Sequence, residues 1–215
     1  MDSCRLTSPF FRWGEEKSEG HRTGERIMSI YRKVFLCLII FSLAACASTI
    51  EMYRDPNMDF GAVKTVAVMP FVNLSRDQLA GDRVRDVFIN ALLATGAVYV
   101  LPTGEVARGV TKAEIPNPLT PSPEEVVKLG KMIKAEAIIT GTLKEYGDVR
   151  SATTSANVIS MSLQMIEAET GRVVWTASTT KGGITFLDRL LGGGGQPMDI
   201  VTVRAVNDLI NKLFK

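Results

Sequence analysis

Between residues 159 and 165 the chain alternates without a break: Ile159, Met161, Leu163 and Met165 are apolar, and Ser160, Ser162 and Gln164 between them are polar. Successive side chains on a strand point to opposite faces, so the stretch predicts a half-buried strand whose methionines belong to a core. Upstream, "AEAIITGTLKEYG" (135–147) predicts another strand, and Gly141 inside it marks a bulge or a close approach to the backbone. Downstream, "EAETGRVVW" (167–175) turns at Thr170-Gly171 into a strand running through Thr180, making a hairpin. "VKTVAVMPFV" (63–72) is a short β-branched run fit for a buried strand, with Pro70 at its end or on an edge. "VYVL" (98–101) is a fifth, short strand.

Helical spacing takes over between these runs. In "RDQLAGDRVRDVFINALLATG" (76–96), Val84, Val87, Phe88, Ala91 and Leu92 share a face, and Gly96 is placed as a C-terminal stop. A short helix is expected around Glu105 to Val110. "IPNPLTPSPEE" (115–125) holds four prolines and must be largely irregular. Its end, Ser122-Pro123-Glu124-Glu125, sets a cap serine, proline at the first helical position and glutamate three after the cap. That is a capping box, opening a helix that turns Val126, Leu129 and Ile133 inward. Asp199 can cap a last helix to about Leu213, burying Val203, Val206, Ile210 and Leu213. The order β-α-β-α-α-β-β-β-α predicts a single-domain α/β sandwich over residues 62–215: a mixed sheet of about five strands with helices packed on it.

The hydrophobic run nearer the start belongs to none of these. From Val34 to Ala47 it has 14 uncharged residues, and a helix needs about 20 to cross a bilayer. Arg32 and Lys33 precede it, and small residues end it. "MSIYRKVFLCLIIFSLAAC" (28–46) therefore has the parts of a secretory signal. Leu43-Ala44-Ala45-Cys46 resembles the lipobox of bacterial lipoproteins. The resemblance implies cleavage between Ala45 and Cys46, acylation of Cys46, and anchoring without a span. The alternative is an ordinary signal with a chance cysteine. Ala47, where lipoproteins retained at the inner membrane often carry aspartate, implies the periplasmic face of the outer membrane. Residues 1–27 are polar, lack periodicity and precede Met28. They read as a leader from a misplaced start, or alternatively as a cytoplasmic extension. Residues 47–61, mostly polar with Pro56 and Gly61, read as a tether.

Trimming to Cys46 changes the chemistry on offer. The whole chain carries a net charge of +2; residues 46–215 hold 18 basic and 18 acidic residues and are neutral. No basic block marks a nucleic-acid partner. Cys4, Cys37 and the single histidine, His21, all fall upstream. Disulfides, thiolate and histidine catalysis and the commonest metal sites are thereby removed. A carboxylate pair, a Ser/Lys dyad or an all-oxygen metal site stays open, but no spacing recommends one. The expectation is a non-enzyme with no cofactor and no metal.

"VAVMPFVNLS" (66–75) followed by an amphipathic helix, then "AEAIITGTLKEYG", then "IEAETGRVVW" (166–175), behind a lipobox, resemble the periplasmic domain shared by the curli secretion lipoprotein CsgG, the Pel-polysaccharide lipoprotein PelC and the penicillin-binding-protein activator LpoB. Each motif alone is loose; their order behind a lipobox is specific. CsgG-type channels insert two long amphipathic hairpins per subunit, whereas "GDVRSATTSANV" (147–158) is short and polar, and "KGGITFLDRLLGGGGQPMD" (181–199) has one apolar patch. No barrel hairpins are expected. The closest architecture is then PelC, which implies an oligomeric ring of an exopolysaccharide export system, a homo-oligomer working with a separate outer-membrane export barrel. The alternatives are a curli-type protein secretion component and an LpoB-like activator of a cell-wall synthase. Residues 47–61 as a coil reach only about 20 Å, which is short for an activator that must cross the wall.

Within 181–199, Phe186, Leu187, Leu190 and Leu191 could touch lipid headgroups or a neighbouring subunit, or pack on their own domain. Trp175 is a candidate contact of the same kind, or a core residue. Gly192–Gly195 lack the Gly-Lys-Ser/Thr of a phosphate loop and read as a hinge.

Overall fold

The computed structural model describes residues 52–151, 154–183 and 195–215, with Lys33 alone upstream, and among the described residues it has seven strands and four helices. The leader, the signal, Ala45, Cys46, Phe186, Leu187, Leu190, Leu191 and Gly192–Gly194 lie outside the described residues. In chain order the elements are β1 (Met52–Arg54), β2 (Thr65–Val68), β3 (Val72–Asn73), α1 (Ala80–Ala94), β4 (Tyr99–Val100), α2 (Thr103–Lys112), α3 (Pro123–Ile133), β5 (Ala137–Ser151), β6 (Thr154–Glu167), β7 (Val173–Gly182) and α4 (Met198–Leu213). They build one open mixed sheet in the order β1-β7-β6-β5-β2-β4, with β3 also on β5. β1, β7, β6 and β5 pair antiparallel; β2 is parallel to both β5 and β4, and β3 is parallel to β5.

Alternation along the strands divides the core in two. Val66, Val68, Ile139, Leu143, Ile159, Met161, Leu163 and Met165 face α1 and α4, meeting Val84, Phe88 and Leu92 of the first and Val206, Leu209 and Leu213 of the second. The intervening Ala67 and Ile138 face the other way, toward Val106 of α2 and Val126, Leu129 and Ile133 of α3. Gly141 lies where Phe71 crosses the sheet: a Cβ there would stand 2.6 Å from the Phe71 ring and 2.7 Å from Leu163. The close approach expected at this glycine is real. The bulge is elsewhere, between Leu143 and Glu145.

Local signals set most of the boundaries. Gly96, at φ +63°, follows the end of α1, and Pro70 separates β2 from β3 because it has no N–H for a ladder. The Ser122 hydroxyl accepts from the Glu125 N–H while the Glu125 carboxylate accepts from the Ser122 N–H, closing the capping box. Asp199, by contrast, is not a cap. Pro197 holds that position, and Asp199 sits in the first turn, where its charge suits the helix N-terminus. Val203 is exposed rather than buried, since α4 turns Val201, Thr202 and Ala205 to the sheet instead.

Two larger differences concern strands. Residues 52–54, within the stretch expected to be a tether, form β1 on the outer edge of β7, and the buried Asp55 just after it pairs with Arg172 at 2.9 Å. Of residues 147–158, expected to be a polar loop, 147–151 continue β5 and 154–158 belong to β6 instead. β3 follows β5 only to Leu143 and β7 follows β6 only to Val158, so the two strands run on as a two-stranded ribbon. Polarity alone hid it: a ribbon solvated on both faces has no apolar alternation to reveal it.

Candidate interaction face

Among the described residues, the sheet face opposite α1 and α4 is covered by α2 and α3 along β2 and the start of β5. Across the rest of β5, β6 and β7 the outward positions form cross-strand rows. Tyr53, Thr176, Gln164 and Thr140 make one, and Ser178, Ser162 and Thr142 the next. Thr180, Ser160 and Glu145 make the third, with the two hydroxyls 2.9 Å apart and the carboxylate at the ribbon end. All are half-buried or exposed, and apart from Glu145 they are neutral and able to donate and accept. They are the polar half of the same alternation that predicts the strands.

The proline-rich loop forms one rim. Leu119, Thr120 and Pro121 border a cavity of about 210 Å³ floored by Thr140, Thr142, Ser162 and Gln164. The capping box anchors the end of this loop, and Asn117 stiffens it by donating to the Thr120 hydroxyl and accepting from the Leu119 N–H. On the far rim Tyr53 is 46% exposed, so the neutral centre lies between an aromatic and an aliphatic edge. That composition suits a protein interface, in which charged residues are scarce at the centre. Periodicity could have found the rows; Tyr53 could not be found, because three residues give no period.

Apart from Glu124, whose carboxyl is lowered by hydrogen bonds from its own backbone N–H and from Ser122 at the end of the rim loop, the perturbed ionisable groups lie away from this face. Burial alone would raise the Asp208 carboxyl, but hydrogen bonds from Lys212, Lys181 and Thr179 outweigh it and bring it down to about 2. The Glu136 carboxyl is lowered by accepting the backbone N–H groups of Lys64 and Thr65. Burial lowers the Arg85 guanidinium. These groups do not converge on a reacting centre, and among the described residues no cluster of His, Cys, Asp and Glu could hold a metal ion. Trp175 is not a surface contact. It is fully buried beneath α4 and its indole N–H donates to the Lys212 carbonyl at 3.3 Å. Among the described residues no helix is long and apolar enough to cross a membrane.

Among the described residues, then, the domain has one sheet face sealed by α1 and α4 and the other covered only in part, by α2 and α3. The chain belongs to the family described as peptidoglycan-synthase activator LpoB, which it matches over residues 43–180, ending two residues short of the end of β7. Among solved structures, it resembles the PelC dodecamer from Paraburkholderia phytofirmans with a TM-score of 0.51 and 16% identity, covering 75% of this chain and 96% of that one. Lipoprotein GNA1162 from Neisseria meningitidis gives 0.48 and 21%, covering 69% and 99%. The C-terminal domain of LpoB from Salmonella enterica gives 0.46 and 12%, covering 59% and 86%. Identities this low speak for the fold alone, and it is the CsgG/PelC/LpoB-like fold that the three motifs imply. No curated protein matches the chain.

Proposed function

We propose that this protein is an envelope lipoprotein that activates a peptidoglycan synthase, docking it on the open face of the sheet. The family match carries the reading, since it spans the lipobox and every strand of that face. It favours the activator alternative over the export ring, which rests on the likeness in fold to the PelC dodecamer. Cys46 takes the acyl chains, and the domain works from the periplasmic face of the outer membrane. Neither catalysis nor a cofactor is required of it.

The path of the chain supports an orientation. β1 is antiparallel to β7, with Met52 opposite Ala177 and Arg54 opposite Trp175, so β1 enters from the end toward which β7 runs. That end also carries the ribbon. The segment bearing Phe186, Leu187, Leu190 and Leu191 leaves and rejoins the domain there, at Gly183 and Gln196, which are joined by a hydrogen bond of 2.7 Å. In this reading the ribbon end faces the membrane. Only residues 47–51 separate Cys46 from β1, so β1 starts within about 20 Å of the acyl chains even when the chain is fully extended. The synthase must therefore reach toward the membrane.

The test is glycan polymerisation by bifunctional synthases from the source organism, with and without the full-length protein carrying Cys46→Ser. Stimulation of one synthase is expected, and Ser162→Arg or Thr176→Arg should abolish it without changing the melting temperature. Unchanged rates with every synthase would overturn the reading. Fractionation of cells checks the anchor: Cys46→Ala should move the protein from the membrane to the soluble periplasm.

A further inference from the structure

At the end of the domain away from the ribbon, a cavity of about 260 Å³ opens between the loop after β1, the C-terminal ends of α1 and α4, and the start of β2. Val66, Leu92, Val98, Ile139 and Met165 wall it; Arg54 and Lys64 are the charged groups that line it, and no acidic residue does. Both cations are held in place by neutral groups. The Arg54 guanidinium lies 3.9 Å over the Phe60 ring and donates to the Leu213 carbonyl at 3.0 Å, and Lys64 donates to the Gly61 carbonyl at 2.7 Å. Among the described residues no carboxylate pairs with Arg54. Lys64 lies beside the Glu136 carboxylate, which also accepts the backbone N–H groups of Lys64 and Thr65, so Arg54 is the lining cation without an acidic partner.

An apolar hole with fixed polar groups at its edge is the usual form of a small-molecule site, and an Arg54 guanidinium with no carboxylate partner, flanked by Lys64, favours an anion. Volume limits the rest. A dry cavity of about 150 Å³ accepts benzene, so this one has room for one acyl chain of about ten carbons and not for two. We propose that the cavity binds a single-chain amphiphile with an anionic head, its tail against Leu92 and Ile139 and its carboxylate or phosphate on Arg54 and Lys64. The acyl groups on Cys46 fit less well, because they bear no anionic head and would leave Arg54 without a counter-charge.

Calorimetric titration of the full-length Cys46→Ser chain, which takes no lipid and needs no detergent, tests this. Decanoate or decyl phosphate should bind with 1:1 stoichiometry and decanol at least tenfold more weakly; which of the two anions binds tighter names the head group. Lys64→Gln should weaken binding several-fold and Val98→Trp, which fills the cavity, should abolish it. Arg54→Gln should do as much as Lys64→Gln or more, but Arg54 also ties down the end of α4, so Lys64→Gln is the decisive variant. Absence of saturable binding at millimolar decanoate, equal affinity for decanol, or indifference to both Lys64→Gln and Val98→Trp would overturn the proposal. So would loss of decanoate binding in the acylated protein in nanodiscs, since the cavity would then hold the protein's own lipid.

Discussion

At the scale of single residues, Asp208 joins α4 to the sheet. Its carboxylate lies 3.0 Å from Lys181 on β7 and 3.0 Å from Lys212 one turn along its own helix. Because its folded carboxyl titrates near 2 rather than near the usual ~3.9, the pair stabilises the fold fully above about pH 4, and the contribution is lost as pH falls through about 4 to 2. Asp208→Asn should cost about 1 kcal/mol at pH 7, after allowance for solvent screening. Urea midpoints of the two proteins should converge as pH drops to 2; a gap independent of pH would assign the loss to packing. Gly141 gives a steric prediction. Phe71 cannot easily retreat, since its ring packs on Phe88 at 6.1 Å between centroids, so Gly141→Ala should destabilise by about 1–3 kcal/mol. Gly182→Ala, where a Cβ meets nothing within 4 Å, should shift stability by no more than about 0.5 kcal/mol.

Among the elements, α3 shows how local chemistry sets boundaries. Its start is written in Ser122-Pro123-Glu124-Glu125, and Ser122→Ala should cost about 1 kcal/mol by unpairing the Glu125 N–H. Its end is not written at all: Lys134 takes the left-handed conformation at φ 56°, a position that normally selects glycine. Lys134→Gly should therefore stabilise, by up to about 1 kcal/mol, as read from thermal melts of both variants. The same contrast explains what was legible in the sequence elsewhere. Phe88, Leu129 and Met161 repeat at helix or strand spacing and announce their burial. β1 and β3, three and two residues long, have no room for a period and exist because β7 and β5 offer open edges. The ribbon beyond Glu145 is solvated, so no burial pattern marks it. The open face was legible as polar positions and not as a surface, because alternation shows that Thr142, Ser162 and Ser178 face away from the core but not that no described helix covers them.

For the whole molecule, the decisive quantity is how the domain is held relative to the membrane. An activator works wherever its face can meet the synthase, so extra reach does it no harm. A ring delivering cargo to an outer-membrane barrel must stay pressed against that barrel, so extra reach breaks it. Inserting 20 Gly/Ser residues after Ser48 adds a coil of roughly 25 Å without touching β1, the open face or the cavity. If the protein activates a synthase, cells carrying the insertion should keep normal rates of wall synthesis, and light scattering of the Cys46→Ser chain should give a monomer that forms a 1:1 complex with the synthase. If it is an export ring, the same insertion should stop export, and the molar mass should correspond to a closed ring of many copies. Both measurements turn on the five residues between Cys46 and Met52. If Cys46 carries the acyl chains, so short a connection holds the domain near the membrane, and a synthase activated by it would have to extend to it.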